Sequence, residues 1–202
     1  MSKQQFVLAS GNAGKLREFS QMLAEKHIEV LPQSALNVSE AEETGLTFVE
    51  NAILKARHAC ESTGLAALAD DSGLEVDALD GAPGIYSARY AGVGAGDEAN
   101  IDKLLLALDG LPEHQRTGRY QCVLVYMRHT LDPTPLICQA SWEGRVLTER
   151  LGEGGFGYDP VFYIPELQCS VAQLNAAEKH QHSHRGKAMR EFFQRLNSLL
   201  PV

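Results

Sequence analysis

The N-terminal part of the chain changes its hydrophobic period within a few residues, and this feature constrains the fold most strongly. Residues 6–9 are a continuous apolar run, which is typical of a buried strand. A short polar loop at residues 10–15 follows, and then Leu16, Phe19 and Leu23 recur at helical spacing. A strand, a tight loop and a helix in direct succession predict an α/β domain.

The rest of the chain continues this alternation and then ends with a hairpin and a helix. Apolar patterns bounded by turn residues predict strands at residues 28–31, 65–69, 74–79, 120–127, 136–142 and 161–164, and helices at residues 46–62, 98–108 and 187–199. The turn formers at residues 132–135 join two of these strands and predict an antiparallel hairpin. Strand–helix alternation followed by a hairpin predicts a mixed sheet.

Length and charge limit the class of protein. A chain of 202 residues with 44% hydrophobic content is expected to fold as one domain, residues 1–202. The formal net charge of −8, without a dense run of Lys and Arg, opposes binding to nucleic acid. The N-terminal apolar run is too short for a signal peptide, and no apolar run of about eighteen residues is present, so we expect a cytoplasmic protein without a membrane partner. The four cysteines lie far apart, which predicts neither a zinc site nor a disulfide framework.

The loop at residues 10–15 has the composition of a phosphate site. Its two glycines let backbone N–H groups approach an anion, and Lys15 brings a positive charge to the start of a helix. The P-loop pattern does not fit, because it requires a glycine where this chain has Ala9. A plain strand-to-helix turn capped by Asn12 or Ser10 is an equally good interpretation of the loop alone.

Asp70 and Asp71 lie between the apolar runs 65–69 and 74–79, which predicts that their carboxylates emerge at strand ends. Adjacent residues of an extended chain point to opposite faces, so one carboxylate can face a ligand while the other holds the backbone or a neighbour. Mg²⁺ needs few protein carboxylates, and the acidic stretch at residues 40–43 can supply a second one. For an isolated Asp-Asp pair, however, a solvated Asx-rich turn is the commoner outcome.

Two patterns imitate known motifs and are rejected. Residues 152–157 have the spacing of a dinucleotide-binding fingerprint, but a predicted strand follows where the fingerprint requires a helix. His180, His182 and His184 resemble a metal-binding tract on an extended segment. Because Arg185 and a basic stretch follow them, a solvated loop or a substrate contact is the better prediction.

Two further segments have the residues that a nucleotide base requires. Residues 156–159 combine an aromatic ring, a carboxylate and flexible glycines, which suits stacking on a planar base while a polar group contacts its edge. Taken singly, such a segment is more often an ordinary aromatic turn. Residues 183–186 offer side-chain donors at a helix start, as expected for binding a carbonyl or phosphate oxygen.

Six separated motifs together resemble the inosine/xanthosine triphosphate pyrophosphatase family, in the family's order and over nearly the whole chain. They are SGNAGK at residues 10–15, the EETGLTF-x-ENA-xx-KA segment at 42–56, DDSGL at 70–74, GIYSARY at 84–90, FGYDP at 156–160 and SHRG at 183–186. The first family loop usually begins with threonine, whereas this chain has Ser10, which keeps the hydroxyl.

The resemblance implies both a fold and an activity. The implied α/β fold is an elongated, strongly twisted mixed β-sheet with flanking helices forming two lobes around a central cleft, usually in a homodimer. The implied reaction is Mg²⁺-dependent hydrolysis of deaminated or non-standard purine nucleoside triphosphates (ITP, dITP, XTP and dXTP) to the monophosphate and pyrophosphate. Such a reaction cleanses the nucleotide pool of bases that would otherwise enter DNA or RNA.

The resemblance also implies a role for each matching residue. Asp71 is the implied proton acceptor and magnesium ligand, and Glu42 is taken as the second metal carboxylate, although the resemblance does not decide between Glu42 and Glu43. The first loop is implied to hold phosphates, and the segments from residue 156 onward to line the nucleoside pocket. The implied substrate contacts are Ser10, Gly11, Asn12, Ala13, Gly14, Lys15, Lys55, Ser72, Phe156, Gly157, Tyr158, Asp159, Lys179, His184 and Arg185.

The expected chemistry is attack of water on the α-phosphorus. Asp71 would accept the proton, and Lys15, Lys55 and Mg²⁺ would neutralise the leaving pyrophosphate. Donors from His184 and Arg185 would pair with the 6-keto oxygen of hypoxanthine or xanthine, but not with the 6-amino group of adenine. Two alternatives stay open: a related pyrophosphatase for modified pyrimidine or methylated nucleotides, and a non-catalytic nucleotide-binding sensor.

Overall fold

The secondary structure follows the predicted order of strands and helices closely. The computed structural model describes residues 5–24 and 28–199 of the chain. Its strands are β1 (Gln5–Ala9), β2 (Glu29–Pro32), β3 (Ala67–Val76), β4 (Thr117–Met127), β5 (Leu136–Val146), β6 (Phe162–Ile164) and β7 (Cys169–Ser170). Its α-helices are α1 (Ala13–Ala24), α2 (Phe48–Thr63), α3 (Gly96–Ala107), α4 (Ala176–His182) and α5 (His184–Leu199).

The described strands form one mixed sheet in the order β2-β1-β3-β4-β5-β6-β7. β1 pairs in parallel with both β2 and β3, and Val7 stands opposite Leu31 on one side and Ala67 on the other. β6 pairs antiparallel with both β5 and β7. The predicted hairpin strands are β4 and β5, which are neighbours in the sheet. The predicted α/β class with a mixed sheet is therefore confirmed.

The chain packs as two compact units. Unit 1 comprises the described residues up to Asp71, together with Cys122–Ala140 and the described residues from Arg185 onward. Unit 2 comprises Ser72–Gln121 and Ser141–His184. That the whole chain acts as one domain stays a prediction.

β3 corrects the prediction for residues 70–73. The sequence predicts a turn here with its carboxylates at strand ends, but β3 runs unbroken through Asp70 and Asp71, and both residues are buried. The turn prediction is wrong because the buried carboxylate of Asp70 has cationic partners from other elements. Such tertiary partners override the local preference of aspartate for turns.

α4 is a second departure from the prediction. His180 and His182 lie on this helix instead of on an extended segment, and α5 begins at His184 instead of at residue 187. A helix of seven residues is too short to show a clear apolar period. Its sequence signal is the capping box of Asn175 and Glu178, in which each side chain accepts the other residue's backbone N–H, at 3.0 Å and 2.9 Å.

Aromatic rings from three elements meet in the core of unit 1. The Phe6 ring of β1 lies edge-on to Tyr126 of β4 at 5.6 Å and to Phe192 of α5 at 6.3 Å between ring centroids. Phe19 and Leu23 bury the apolar face of α1 against the same cluster. This packing holds the loop between β1 and α1 on a rigid base.

The described helices include none that combines the length and the apolar composition needed to cross a membrane. Cys60, Cys122 and Cys138 are buried free thiols, and Cys169 is half-buried. Burial raises the pKa of Cys138 to about 11 and that of Cys122 well above its usual range. These two thiols are therefore protonated and unreactive at neutral pH.

A buried arginine ties three backbone segments of unit 2 together. Arg116 is 2% exposed, and its guanidinium donates to the carbonyl oxygens of Leu108 at 2.6 Å, Val146 at 2.8 Å and Leu147 at 2.6 Å. Lysine has a single ammonium group and cannot reproduce this planar fork of donors.

We predict that Arg116→Lys lowers the free energy of unfolding by about 2–4 kcal/mol, because buried carbonyl oxygens lose charge-assisted hydrogen bonds. Urea denaturation measures this loss. Arg150→Lys is the matched control, since Arg150 pairs with Glu98 and Asp102 at the surface and should contribute less than about 1 kcal/mol. Equal losses in the two variants would contradict the assignment.

Candidate active site

The loop between β1 and α1 is a capped helix start. Ser10 Oγ accepts the N–H of Asn12 at 3.3 Å, and Asn12 Oδ1 accepts the N–H of Lys15 at 3.0 Å. The exposed side chain of Glu40 lies against Gly11, where a Cβ atom would be 1.9 Å from Glu40 Oε1 and the glutamate would have to move aside. The capping interpretation is therefore correct for the local structure, while phosphate binding by this loop stays a prediction. Ala13 and Gly14 form the first residues of α1.

Asp70 is a buried carboxylate that contacts cationic side chains from both ends of the chain. Its side chain is fully buried, forms an ion pair with Lys15, and lies 3.6 Å from Arg185 Nε. The thiol of Cys122 donates to its second oxygen at 3.2 Å. Burial alone would raise the pKa of Asp70, but Lys15 and Arg185 outweigh it and hold the pKa well below its usual range. Asp70 is therefore ionised at neutral pH.

Arg185 belongs to this structural cluster. Its side chain is 3% exposed and forms an ion pair with Glu18 of α1, and its guanidinium lies over the Phe19 ring at 5.6 Å. Burial lowers the pKa of Arg185, but Asp70 and Glu18 outweigh this effect and raise it, so the guanidinium is charged. The sequence prediction that Arg185 contacts the base did not foresee these partners. Glu18 carries no sequence signal, since its partner is distant in the chain.

Asp71 has a different set of contacts. Its Oδ1 accepts a hydrogen bond from Lys55 Nζ at 2.6 Å, and the same ammonium donates to Glu43 Oε1 at 3.1 Å. Its Oδ2 is buried and has no hydrogen-bond partner among the described residues. Burial raises the pKa of Asp71 by more than Lys55 and Lys15 lower it. Asp71 thus presents a buried oxygen that is ready to accept a ligand.

The structure distinguishes between the two glutamates of the acidic loop. Glu43 is half-buried and contacts Lys55, whereas Glu42 is exposed. Ser72 follows Asp71 on β3 and is half-buried. The carboxylate that lies beside the Asp71 and Lys55 pair is therefore that of Glu43.

The residues around Asp71 fit a hard cation of the magnesium type. Mg²⁺ is bound through one or two carboxylates and completes its shell with waters and substrate phosphates. Asp71 Oδ2 is a buried carboxylate oxygen without a partner in the described structure, and Glu43 supplies a second carboxylate nearby. No three Asp, Glu, His or Cys side chains of the described residues form a complete metal cage. Waters or substrate oxygens would complete such a site.

Asp159 organises a second cluster, in unit 2. Its Oδ2 accepts from Lys179 Nζ at 2.6 Å and from the backbone N–H of Phe156 at 2.9 Å, and its Oδ1 accepts from the Tyr120 hydroxyl at 3.1 Å. A Cβ atom on Gly155 would lie 2.0 Å from this carboxylate, so the loop requires glycine there. Asp159 therefore fixes both the loop and the lysine.

The predicted base-stacking ring lies under a cation. Lys179 Nζ is 4.5 Å from the centroid of the half-buried Phe156 ring. The Gly157 N–H donates to Asp97 Oδ2 at 2.7 Å. Tyr158 is 4% exposed and donates its hydroxyl to the Ser87 carbonyl at 2.8 Å. Phe156 is therefore the better placed of the two aromatic residues to contact a base, whereas Tyr158 is part of the core.

The His184 ring contacts aromatic rings of two neighbouring strands, β4 and β5. Its ring stacks on Tyr120 at 4.8 Å with an interplanar angle of 18°, and it lies 6.5 Å from Trp142. Sequence reasoning did not predict Tyr120 and Trp142 as site residues, because each lies in an apolar run that indicates only a strand. His184 and Arg185 are adjacent in sequence but have different neighbours, so the two residues cannot be assigned one shared role.

We predict that the same substitution has a large effect on stability at Asp70 and a small one at Asp71. Asp70→Asn should lower the free energy of unfolding by about 3–5 kcal/mol, because it leaves buried Lys15 and Arg185 without their shared counter-charge. Asp71→Asn should change the free energy of unfolding by less than about 1 kcal/mol. Burial already disfavours the charge of the Asp71 carboxylate, and Lys55 keeps its ion pair with Glu43 in the variant. Urea denaturation at neutral pH compares the variants.

The pH dependence of stability provides the control. A carboxyl whose pKa is lower in the folded state stabilises the fold above its unfolded pKa, and this stabilisation is lost as the pH falls toward the folded value. The acid loss of stability below about pH 4 should therefore be smaller in Asp70→Asn than in the wild type. Identical stability profiles would show that Asp70 does not stabilise the fold.

Comparison with known proteins shows which family the chain resembles. Residues 6–195 match the Ham1 family. The chain is 60% identical over 195 residues to a protein from Vibrio parahaemolyticus named dITP/XTP pyrophosphatase, covering 96% of this chain and 98% of that protein. It is 59% identical over 196 residues to a protein of the same name from Photobacterium profundum, covering 97% and 98% of the two chains.

Solved structures give the same result. The fold matches a HAM1 protein from Coxiella burnetii with a TM-score of 0.89 and 47% identity, covering 96% of this chain and 99% of that one. It also matches the Staphylococcus aureus Ham1 protein with a TM-score of 0.85 and 39% identity, covering 98% and 100% of the two chains. Sequence and fold therefore agree over nearly the full length, and the chain belongs to the Ham1 family.

Proposed function

We infer that this chain is a nucleoside-triphosphate pyrophosphatase that hydrolyses deaminated purine nucleoside triphosphates, such as dITP, ITP, XTP and dXTP, to the monophosphate and pyrophosphate. Its 60% identity to a dITP/XTP pyrophosphatase supports this activity. The structural observation that carries it is the buried, unpartnered Oδ2 of Asp71 beside Lys55 and Glu43. An acceptor, an ammonium group and a second carboxylate are what hydrolysis of a phosphoanhydride requires.

The proposed cofactor is Mg²⁺, with Asp71 and Glu43 as its protein ligands. Glu43 is proposed in place of Glu42, because Glu43 contacts Lys55 while Glu42 is exposed. When bound, Mg²⁺ would neutralise negative charge that develops on the phosphate oxygens.

The chain's own residues account for the remaining chemistry. Asp71 is the proposed proton acceptor for the attacking water, because its buried Oδ2 has no hydrogen-bond partner among the described residues. Lys55 and Lys15 would supply positive charge for the leaving pyrophosphate. A covalent thiol intermediate is disfavoured, because burial and Asp70 raise the pKa of Cys122 well above its usual range.

Base recognition is assigned to unit 2. Phe156 would stack on the purine, and Lys179 and Asp159 would orient its ring and loop. His184 would donate to the 6-keto oxygen, which adenine lacks. Arg185 is assigned a structural role through Glu18 and Asp70, with no direct contact to the base. No observation favours the pyrimidine or methylated-nucleotide alternative, or the non-catalytic sensor.

Assembly and location are part of the proposal. The family resemblance supports a homodimer that takes small nucleotides, and the absence of a long apolar run in the sequence supports a cytoplasmic location without a membrane partner. The net charge of −8 agrees with the absence of a nucleic-acid partner.

We predict that pyrophosphate release from inosine triphosphate requires Mg²⁺ and is lost in EDTA. Asp71→Asn should lower kcat by about a hundredfold or more, because the general base is removed. A coupled assay for pyrophosphate measures both effects. Asp102→Asn is the matched control at a surface ion pair and should keep wild-type kcat. Folded Asp71→Asn with near-normal turnover would refute the role of Asp71.

We further predict that His184 and Arg185 differ in their effect on selectivity. His184→Ala should lower kcat/KM for inosine triphosphate by about 1–3 kcal/mol in transition-state free energy, and for adenosine triphosphate by much less. Arg185→Lys should lower kcat/KM for both substrates by the same factor, because the contacts of Arg185 with Glu18 and Asp70 hold the fold and do not involve the base. Steady-state kinetics on both substrates tests this, with circular dichroism as the folding control. Parallel losses in His184→Ala would rule out base recognition by His184.

A further inference from the structure

Asn51 is a fully buried amide near the start of α2, and the reaction described above does not use it. Its side chain is 0% exposed. Asparagine is a weak helix former, so propensity does not explain its place inside a helix. Lys55 lies four residues later, on the same face of α2.

The oxygen of Asn51 holds the acidic loop. Its Oδ1 accepts the backbone N–H of Gly45 at 2.8 Å. The approach is so close that a Cβ atom on Gly45 would lie 2.7 Å from this oxygen and 2.6 Å from Glu50 Cβ. Glu43 lies two positions before Gly45 and contacts Lys55. Asn51 therefore positions the segment that carries the second carboxylate.

The nitrogen of Asn51 has no such partner. Its Nδ2 is buried and has no hydrogen-bond acceptor among the described residues. The amide orientation is fixed, because only the oxygen can accept the Gly45 N–H. A buried donor without an acceptor destabilises the folded state by about 1–3 kcal/mol, and such groups are rare in native proteins. A bound ligand that accepts the hydrogen bond would remove this penalty.

The surroundings of Asn51 indicate where this donor would act. Helical side chains lean toward the N-terminus of their helix, so the Lys55 side chain extends over the turn that contains Asn51. Lys55 Nζ contacts Asp71 Oδ1, and Asp71 Oδ2 is the buried acceptor without a partner. α2 thus carries a buried donor without a partner one turn before Lys55, and Lys55 contacts the aspartate that has a buried acceptor without a partner.

We propose that Asn51 is a phosphate-binding residue, whose Nδ2 donates to a non-bridging oxygen of the triphosphate while its Oδ1 holds the Glu43 loop. The proposal rests on the proposed function, because the phosphate chain is that of the nucleotide substrate. A phosphate oxygen suits a neutral N–H donor at the start of a helix and beside an ammonium group. A water on Mg²⁺ suits it less, because its oxygen is directed at the cation and its hydrogens seek acceptors.

The test is titration calorimetry with two probes that undergo no turnover: tripolyphosphate in EDTA, and Mg²⁺ alone. Asn51→Asp keeps an oxygen for the Gly45 N–H but removes the donor. It should weaken tripolyphosphate binding by at least about tenfold without weakening Mg²⁺ binding. Asn51→Ala, which introduces no buried charge, should show the same loss of tripolyphosphate binding if Asn51→Asp fails to fold.

Two further variants separate the donor from the loop contact. Gly45→Ala should displace the Glu43 segment and weaken Mg²⁺ binding, while tripolyphosphate binding stays within about twofold of wild type. Asn100→Asp is the control for a buried amide, since both atoms of Asn100 are paired, with Ala91 N at 2.7 Å and Ala88 O at 3.2 Å. It should change neither titration.

The proposal is overturned if Asn51→Asp and Asn51→Ala bind tripolyphosphate with wild-type affinity. It is also overturned if their loss is confined to the Mg²⁺ titration, since the acceptor would then be a metal-bound water. Failure of the proposed function has a different signature, because the wild-type protein would release no pyrophosphate from inosine triphosphate.

Discussion

The carboxylate of Asp70 is fully buried in unit 1, and its charge must be compensated there. Lys15 of α1 and Arg185 of α5 supply the compensation, so one ionic cluster fixes β3 against both helices. The geometry at Asp71 depends on this cluster, because neighbouring side chains on a strand point to opposite faces. With Asp70 held by Lys15 and Arg185, the side chain of Asp71 lies on the side where Lys55 contacts it. The ion pairs of Asp70 thus help to position the proposed proton acceptor.

The environments of the two aspartates explain how identical side chains take different roles. The cations around Asp70 outweigh burial and lower its pKa, whereas burial outweighs Lys55 and raises that of Asp71. Asp70 has contacts on both oxygens, while Asp71 keeps one oxygen without a partner. Structural and chemical roles are therefore separated within one dipeptide. This pattern is common where two carboxylates lie close together in an enzyme.

Sequence reasoning predicts the parts of this account that depend on local pattern. The spacing of the apolar residues predicts β1 and α1, and the sequence motif around Asp71 predicts the candidate general base. The unbroken course of β3 could not be predicted, because the partners of Asp70 are separated from it by 55 and 115 positions in the chain, at Lys15 and Arg185. The choice of Glu43 over Glu42 also required the structure, since only the contact with Lys55 distinguishes them.

The central claim is that Asp70 holds the fold while Asp71 is available for chemistry. Carbon-13 NMR titration of the aspartate side-chain carboxyls in the metal-free protein, assigned with Asp70→Asn and Asp71→Asn, tests it most directly. The account predicts that the Asp71 resonance titrates at a higher pH than an ordinary aspartate, and that the Asp70 resonance does not titrate while the protein is folded. Titration of both carboxyls at the ordinary pKa of aspartate, or in the reverse order, would contradict it.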